Sequence, residues 1–168
     1  IEYIENKGGV RDPEKPFLMM IGMNPPHSPY ASTDDCDLEG YERYKDKSLT
    51  ELLVRDNADT TMAKAAAVRY YFANVSGIDR LLAALDRAGL TENTIVVFAS
   101  DHGETMTSHS TDDPKNSIWR ESLNIPFLVR YPGRVPHRVD DLLLSTPDIM
   151  PTLLGLAGLG ERIPASVE

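Results

Sequence analysis

Thr94-Ile95-Val96-Val97-Phe98-Ala99-Ser100-Asp101-His102-Gly103-Glu104 is the stretch on which the fold turns. Its first six residues are β-branched or apolar, the pattern of a parallel strand covered by helices. The run stops at Ser100-Asp101-His102-Gly103. Upstream of it, Val68, Phe72, Val75, Ile78, Leu82 and Leu85 recur at three- and four-residue steps, which predicts one long amphipathic helix between about Asp59 and Ala88. Asp59 or Thr60 is suited to cap its start, Gly77 to bend it, and Arg87 to face the negative end of its dipole. Gly89 can take the left-handed conformation that ends it.

Working outward, Phe17-Leu18-Met19-Met20-Ile21-Gly22-Met23 reads as a central strand buried on both faces and stopped by Asn24-Pro25-Pro26. From there to about Asn57 the text is polar and without a period, which predicts a long excursion lining an active site or a surface loop. Within it, Tyr41 to Lys47 reads as a solvated face. Ile125 to Tyr131 is a third strand, placed at an edge or entry by Pro126 and broken by Pro132-Gly133. Asp141-Leu142-Leu143-Leu144 is a fourth short run. Ser145 or Thr146 then caps a helix with Pro147 in its first turn, carrying Ile149, Leu153, Leu154 and Leu156 up to Gly158. The sum is an α/β layer fold with helices on a mostly parallel sheet, with no internal repeats.

The 168 residues carry 17 basic and 26 acidic side chains, a net charge of −9. No basic cluster offers a phosphate-binding surface, so nucleic acid is excluded as the main partner. With 41% hydrophobic and 26% charged residues, disorder and collagen-like repeats are excluded too. Cys36 is the single cysteine and cannot close an intramolecular disulfide. No apolar run approaches the roughly 20 residues of a membrane span. Ile1 to Lys7 lacks a signal-peptide pattern and begins without Met, as if mid-protein, which leaves localisation open.

Ligands of open α/β sheets gather at the carboxyl ends of the strands. Two polar clusters fall there: Asn24 to Tyr30 after the first strand, and Asp101-His102-Gly103-Glu104 after the second. A carboxylate beside an imidazole at a strand end is half of a metal site, though an Asp there is more often a turn or cap residue. His27, His109 and His137 read by default as packed or solvated loop residues, and Lys115 as a surface ammonium.

The order of these pieces resembles the sulfatase family of the alkaline phosphatase superfamily. The matching text runs from Lys15-Pro16-Phe17 through Pro26-His27-Ser28-Pro29-Tyr30, Ile78 to Leu85 and Asn93 to Glu104. It continues with Ser108-His109, Lys115, Glu121-Ser122-Leu123, Ile125-Pro126-Phe127, Tyr131-Pro132-Gly133 and Asp148 to Leu154, covering about residues 15 to 158. The resemblance implies a partial domain of a three-layer α/β/α sandwich, alkaline phosphatase-like, with residues 1–168 as one piece of a catalytic domain. It implies that Asp101 and His102 bind a divalent cation, usually calcium, with magnesium or manganese open. It implies that His27 contacts the sulfate group or the leaving oxygen and that Lys115 binds sulfate. Ser110-Thr111-Asp112-Asp113-Pro114 departs from the glycine-rich spacing usual before that lysine, and His109 matches a frequent family histidine without an assigned role.

The family's nucleophile, a Cys or Ser converted to formylglycine, has no match here: Cys36 is followed by Asp37-Leu38-Glu39-Gly40. The acidic pair that supplies the other metal ligands is also absent. The expectation is therefore the C-terminal portion of a sulfatase, inactive alone, whose parent hydrolyses a small-molecule or glycan sulfate ester in an extracytoplasmic compartment. Phosphonate or phosphate ester hydrolysis and phosphoglycerol transfer are the alternatives within the superfamily. A folded, non-catalytic fragment that self-associates through exposed sheet edges is the alternative outside it.

Overall fold

The structure, a computed structural model, describes residues 1–167. They divide into two compact units, one of residues 1–91 and 99–126, the other of 92–98 and 127 onward.

The first unit is helical, with α1 (Leu38–Glu42), α2 (Leu49–Leu52), α3 (Val68–Gly77), α4 (Asp79–Arg87) and the single turn α5 (Arg120–Leu123). The Asp37 carboxylate accepts the Gly40 N–H at 2.7 Å to start α1, and Ser48 with Glu51 forms a capping box at α2. The polar region expected to be without structure therefore holds two helices, each too short to show a period and each begun by a side-chain cap. α1 lies on α3 through Gly40, where an added Cβ would fall on the Ala73 carbonyl oxygen. Tyr41 stacks on Tyr70 with centroids 5.3 Å apart, and the Tyr44 hydroxyl is 2.7 Å from Ser76 Oγ. Tyr41 and Tyr44 thus pack on α3, while Glu42, Arg43, Lys45, Asp46 and Lys47 are exposed, the solvated face that the sequence predicts, with Lys45 paired to Glu42 on it.

The long helix expected between Asp59 and Ala88 is divided into a 3-10 turn (Ala63–Ala67), α3 and α4. The division falls at Gly77, where a Cβ would press on the Asp37 carboxylate at 3.2 Å. Asp59 does not cap the helix but turns back onto the Thr61 N–H at 2.9 Å. Val68 and Leu85 of the apolar stripe are buried with Ala73 and Ala84, while Val75 and Leu82 stay more exposed. The end is as expected: Gly89 has φ +66°, and the Leu90 N–H closes onto the Leu85 carbonyl at 2.9 Å. Arg87 pairs with Glu5 at 2.7 Å.

In the second unit, β1 (Val96–Ala99) and β2 (Phe127–Arg130) bond to each other in a two-stranded sheet, Pro126 standing just ahead of β2. α6 (Thr146–Leu156) begins with the Ser145/Asp148 capping box and Pro147 in its first turn. It ends at Gly158, φ +73°, with the Leu159 N–H on the Leu154 carbonyl at 2.8 Å. The strand expected at 17–23 is not a strand, and the apolar run at 141–144 does not form one either. Neither makes a backbone-to-backbone hydrogen bond among the described residues. Leu18, Met20 and Leu143 are each 95% exposed, so neither run is covered on both faces. Apolarity alone does not make a strand; the ladder of a neighbour does. Among the described residues no helix is long and apolar enough to cross a membrane.

Candidate active site

All four residues singled out from the sequence lie in the first unit. His27 sits on a tight turn whose N–H bonds the Asn24 carbonyl at 2.8 Å. Its Nδ1 faces the Ser28 carbonyl at 2.8 Å, and a carbonyl can only accept, so Nδ1 carries the ring proton. Nε2 is then a lone pair in the neutral ring, and the Lys115 ammonium donates to it at 3.1 Å across 88 residues of sequence. Lys115 is aimed by Asp113, whose Oδ1 accepts the Lys115 N–H at 3.2 Å and the Asn116 N–H at 2.9 Å. The carboxylate thus closes an Asx-type turn immediately before this lysine.

Asp101 and His102 form the second pair. His102 donates Nδ1–H to the Gly103 carbonyl at 2.7 Å, leaving Nε2 with its lone pair 3.7 Å from Asp101 Oδ2. Asp101 is open to solvent and uses only Oδ1, on the His102 N–H at 3.1 Å. A carboxylate oxygen beside an imidazole nitrogen, its ring oriented by a carbonyl, is a donor set that fits a divalent cation. Among the described residues no three His, Cys, Asp or Glu side chains converge, so these two make up only part of a ligand set. Gly103 is obligatory: a Cβ would fall on the Glu121 carbonyl oxygen, and its N–H bonds the Ser122 carbonyl at 2.7 Å.

Other residues of the site had no role legible in the sequence. Tyr30 donates to Glu104 Oε2 at 3.4 Å and ties the His27 loop to the Asp101 loop. Burial pushes the Tyr30 phenol up to about 12, the negative Glu104 adding to it, and burial likewise raises the Glu104 carboxyl. With Lys64 and Thr107 they line a cavity of about 40 Å³. Beyond Glu104 the chain is strained, since Met106, Thr107, His109 and Ser110 all have φ between +43° and +69° without being glycine. Clamps hold it: the Asp59 N–H on the Thr107 carbonyl at 3.2 Å and the His109 N–H on the Asn57 carbonyl at 2.9 Å. His109 stacks on Trp119 with centroids 3.8 Å apart, and its Nε2 lies 3.2 Å from Glu121 Oε2. Asn57 donates to Glu121 Oε1 at 2.8 Å, which with His109 holds that carboxyl down to about 2. His109 is therefore a brace for the strained loop. Cys36 is a partly buried thiol whose pKa burial raises, the opposite of an activated nucleophile.

The family model of the sulfatases matches residues 2–159. The chain belongs to the sulfatase family. This sulfatase chain is 60% identical over 172 residues to the endo-4-O-sulfatase of Bacteroides thetaiotaomicron, covering all of this chain and 34% of that protein. It is 34% identical to the ulvan-active sulfatase of Formosa agariphila, covering 92% of this chain and 30% of the relative. A solved Bacteroides thetaiotaomicron structure, from work on the metabolism of multiple glycosaminoglycans, superposes with a TM-score of 0.88 at 60% identity. It covers 99% of this chain and 35% of its own. The sulfatase chain thus spans about a third of the length of these relatives. Its fold is a partial alkaline phosphatase-like α/β domain.

Proposed function

We propose that this chain supplies the sulfate-contacting pair His27–Lys115 and part of the metal site of a sulfatase that hydrolyses a 4-O-sulfate ester within a glycosaminoglycan chain. The observation that carries it is the 3.1 Å contact between Lys115 Nζ and His27 Nε2, two residues brought together from 88 positions apart. The endo-4-O-sulfatase relative supports the choice of ester and polymer.

Lys115 has three donors and spends one on His27, so two remain for the ester's oxygens. As the S–O bond breaks, negative charge moves to the departing alcohol oxygen, and a fixed ammonium there is stronger in a water-poor pocket. His27 Nε2 is the atom at which a proton for that oxygen would be held once the Lys115 ammonium turns from the imidazole to the ester. Asp101 and His102 are the residues that would hold the divalent cation, calcium or another hard ion, which when bound supplies Lewis-acid stabilisation of the ester's charge. The formylglycine nucleophile belongs to the full-length enzyme in this reading. A sulfated polymer is met outside the cytoplasm, so the enzyme is extracytoplasmic.

The test is desulfation of a 4-O-sulfated glycosaminoglycan by the full-length enzyme, with the 6-O-sulfated isomer as control. Release from the 4-O isomer, lost by at least about a hundredfold in Lys115→Ala and His27→Ala, is expected. Equal release from both isomers would overturn the 4-O assignment, and full activity of Lys115→Ala would overturn the site. For the metal pair, calcium titration by calorimetry on the full-length protein is expected to show a site that Asp101→Ala removes; unchanged binding would count against Asp101 as a ligand.

A further inference from the structure

Among the described residues the two pairs of the site make no side-chain hydrogen bond with each other, yet one buried residue touches the backbone of Lys115 in the first and of Gly103, next to His102, beside the second. Ser122, in α5, is 2% exposed. Its hydroxyl donates to the Lys115 carbonyl oxygen, and its own carbonyl accepts the Gly103 N–H at 2.7 Å. Gly103 in turn offers its carbonyl to His102 Nδ1 at 2.7 Å. An unbroken run of hydrogen bonds therefore leads from the Lys115 backbone through Ser122 and Gly103 to the His102 ring. The close approach that makes it geometrically possible is the missing Cβ of Gly103, over the Glu121 carbonyl oxygen.

We infer that Ser122 is a positioning residue of the active site, its hydroxyl setting where Lys115 presents its ammonium relative to the Asp101–His102 pair. The inference rests on the reading of Lys115 as the sulfate-binding residue. Among the described residues no other hydrogen bond reaches the Lys115 carbonyl. The hydroxyl contributes no atom to the substrate; it fixes the backbone from which the lysine springs. Groups in this kind of supporting position cost about ten- to a hundredfold in activity when removed.

The experiment is a double-mutant cycle in the full-length enzyme, with desulfation of a 4-O-sulfated glycosaminoglycan as the readout. Ser122→Ala is expected to lower kcat/KM by about ten- to a hundredfold. In a Lys115→Ala background the same change is expected to matter by less than about twofold, because the ammonium it positions is gone. A loss of equal size in both backgrounds would mean that Ser122 only supports the fold and would overturn the inference. Ser122→Cys, nearly the same shape with a weaker donor, guards against a misfolded Ala variant. It is expected to fall between wild type and Ala, and wild-type kcat/KM in it would also overturn the inference. Full activity of Lys115→Ala alone is a different result, since it overturns the assignment of the lysine on which Ser122 acts.

Discussion

Two glutamates of the first unit respond to pH in opposite directions. Glu121 is held down to about 2 by Asn57, its own backbone N–H and His109, so it titrates lower folded than unfolded. Its contribution to stability is present above its ordinary value of 4.5 and is lost as pH falls toward 2. Urea midpoints of wild type and Glu121→Gln should differ most above pH 5 and converge as pH falls; a gap that widens in acid would contradict this. Glu104 is the reverse, its carboxyl raised by burial, with bonds from Met106 and Tyr30 compensating only in part. Ionising it costs stability as pH rises through its folded value, so Glu104→Gln should be as stable as wild type or more so at neutral pH. A Glu104→Gln midpoint clearly below wild type at pH 7 would refute that. Asp101, His102, His27 and Lys115 could be named from the order of motifs. Glu121, Asn57, Asp113 and Ser122 could not, because each acts on a backbone group or a partner that only the folded chain brings near.

Helix ends were the most legible elements, since a cap is a local contract among neighbouring residues. Ser145 with Asp148, Gly89 and Gly158 all do what their residue types predict. Of the three expected strands, those at 94–99 and 125–131 formed as β1 and β2, while 17–23 did not, because a strand exists only with a neighbour and this run has none among the described residues. Glycines separate the same way. At Gly40 a Cβ would strike the Ala73 backbone of α3, so Gly40→Ala should destabilise by about 1–3 kcal/mol. At Gly155, inside α6, a Cβ meets nothing within 4 Å, so Gly155→Ala should stabilise by about 0.5–1 kcal/mol. Thermal melts of the two variants should move in opposite directions, and a shift of the same sign in both would undo the argument.

Leu18, Met20, Val139 and Leu143 are each at least 95% exposed, a degree of apolar exposure that favours association. Light scattering of this chain across a concentration series should show mass rising with concentration; a constant monomer mass would refute it. The contact between Ser122 and Lys115 has a different kind of consequence, for how the chain can change length. It closes a ring of a few residues, and adding or deleting even one between them would pull the hydroxyl off its carbonyl and swing the lysine away. An insertion is better borne elsewhere, and the open stretch ahead of α6, with its side chains already in solvent, is where it disturbs least.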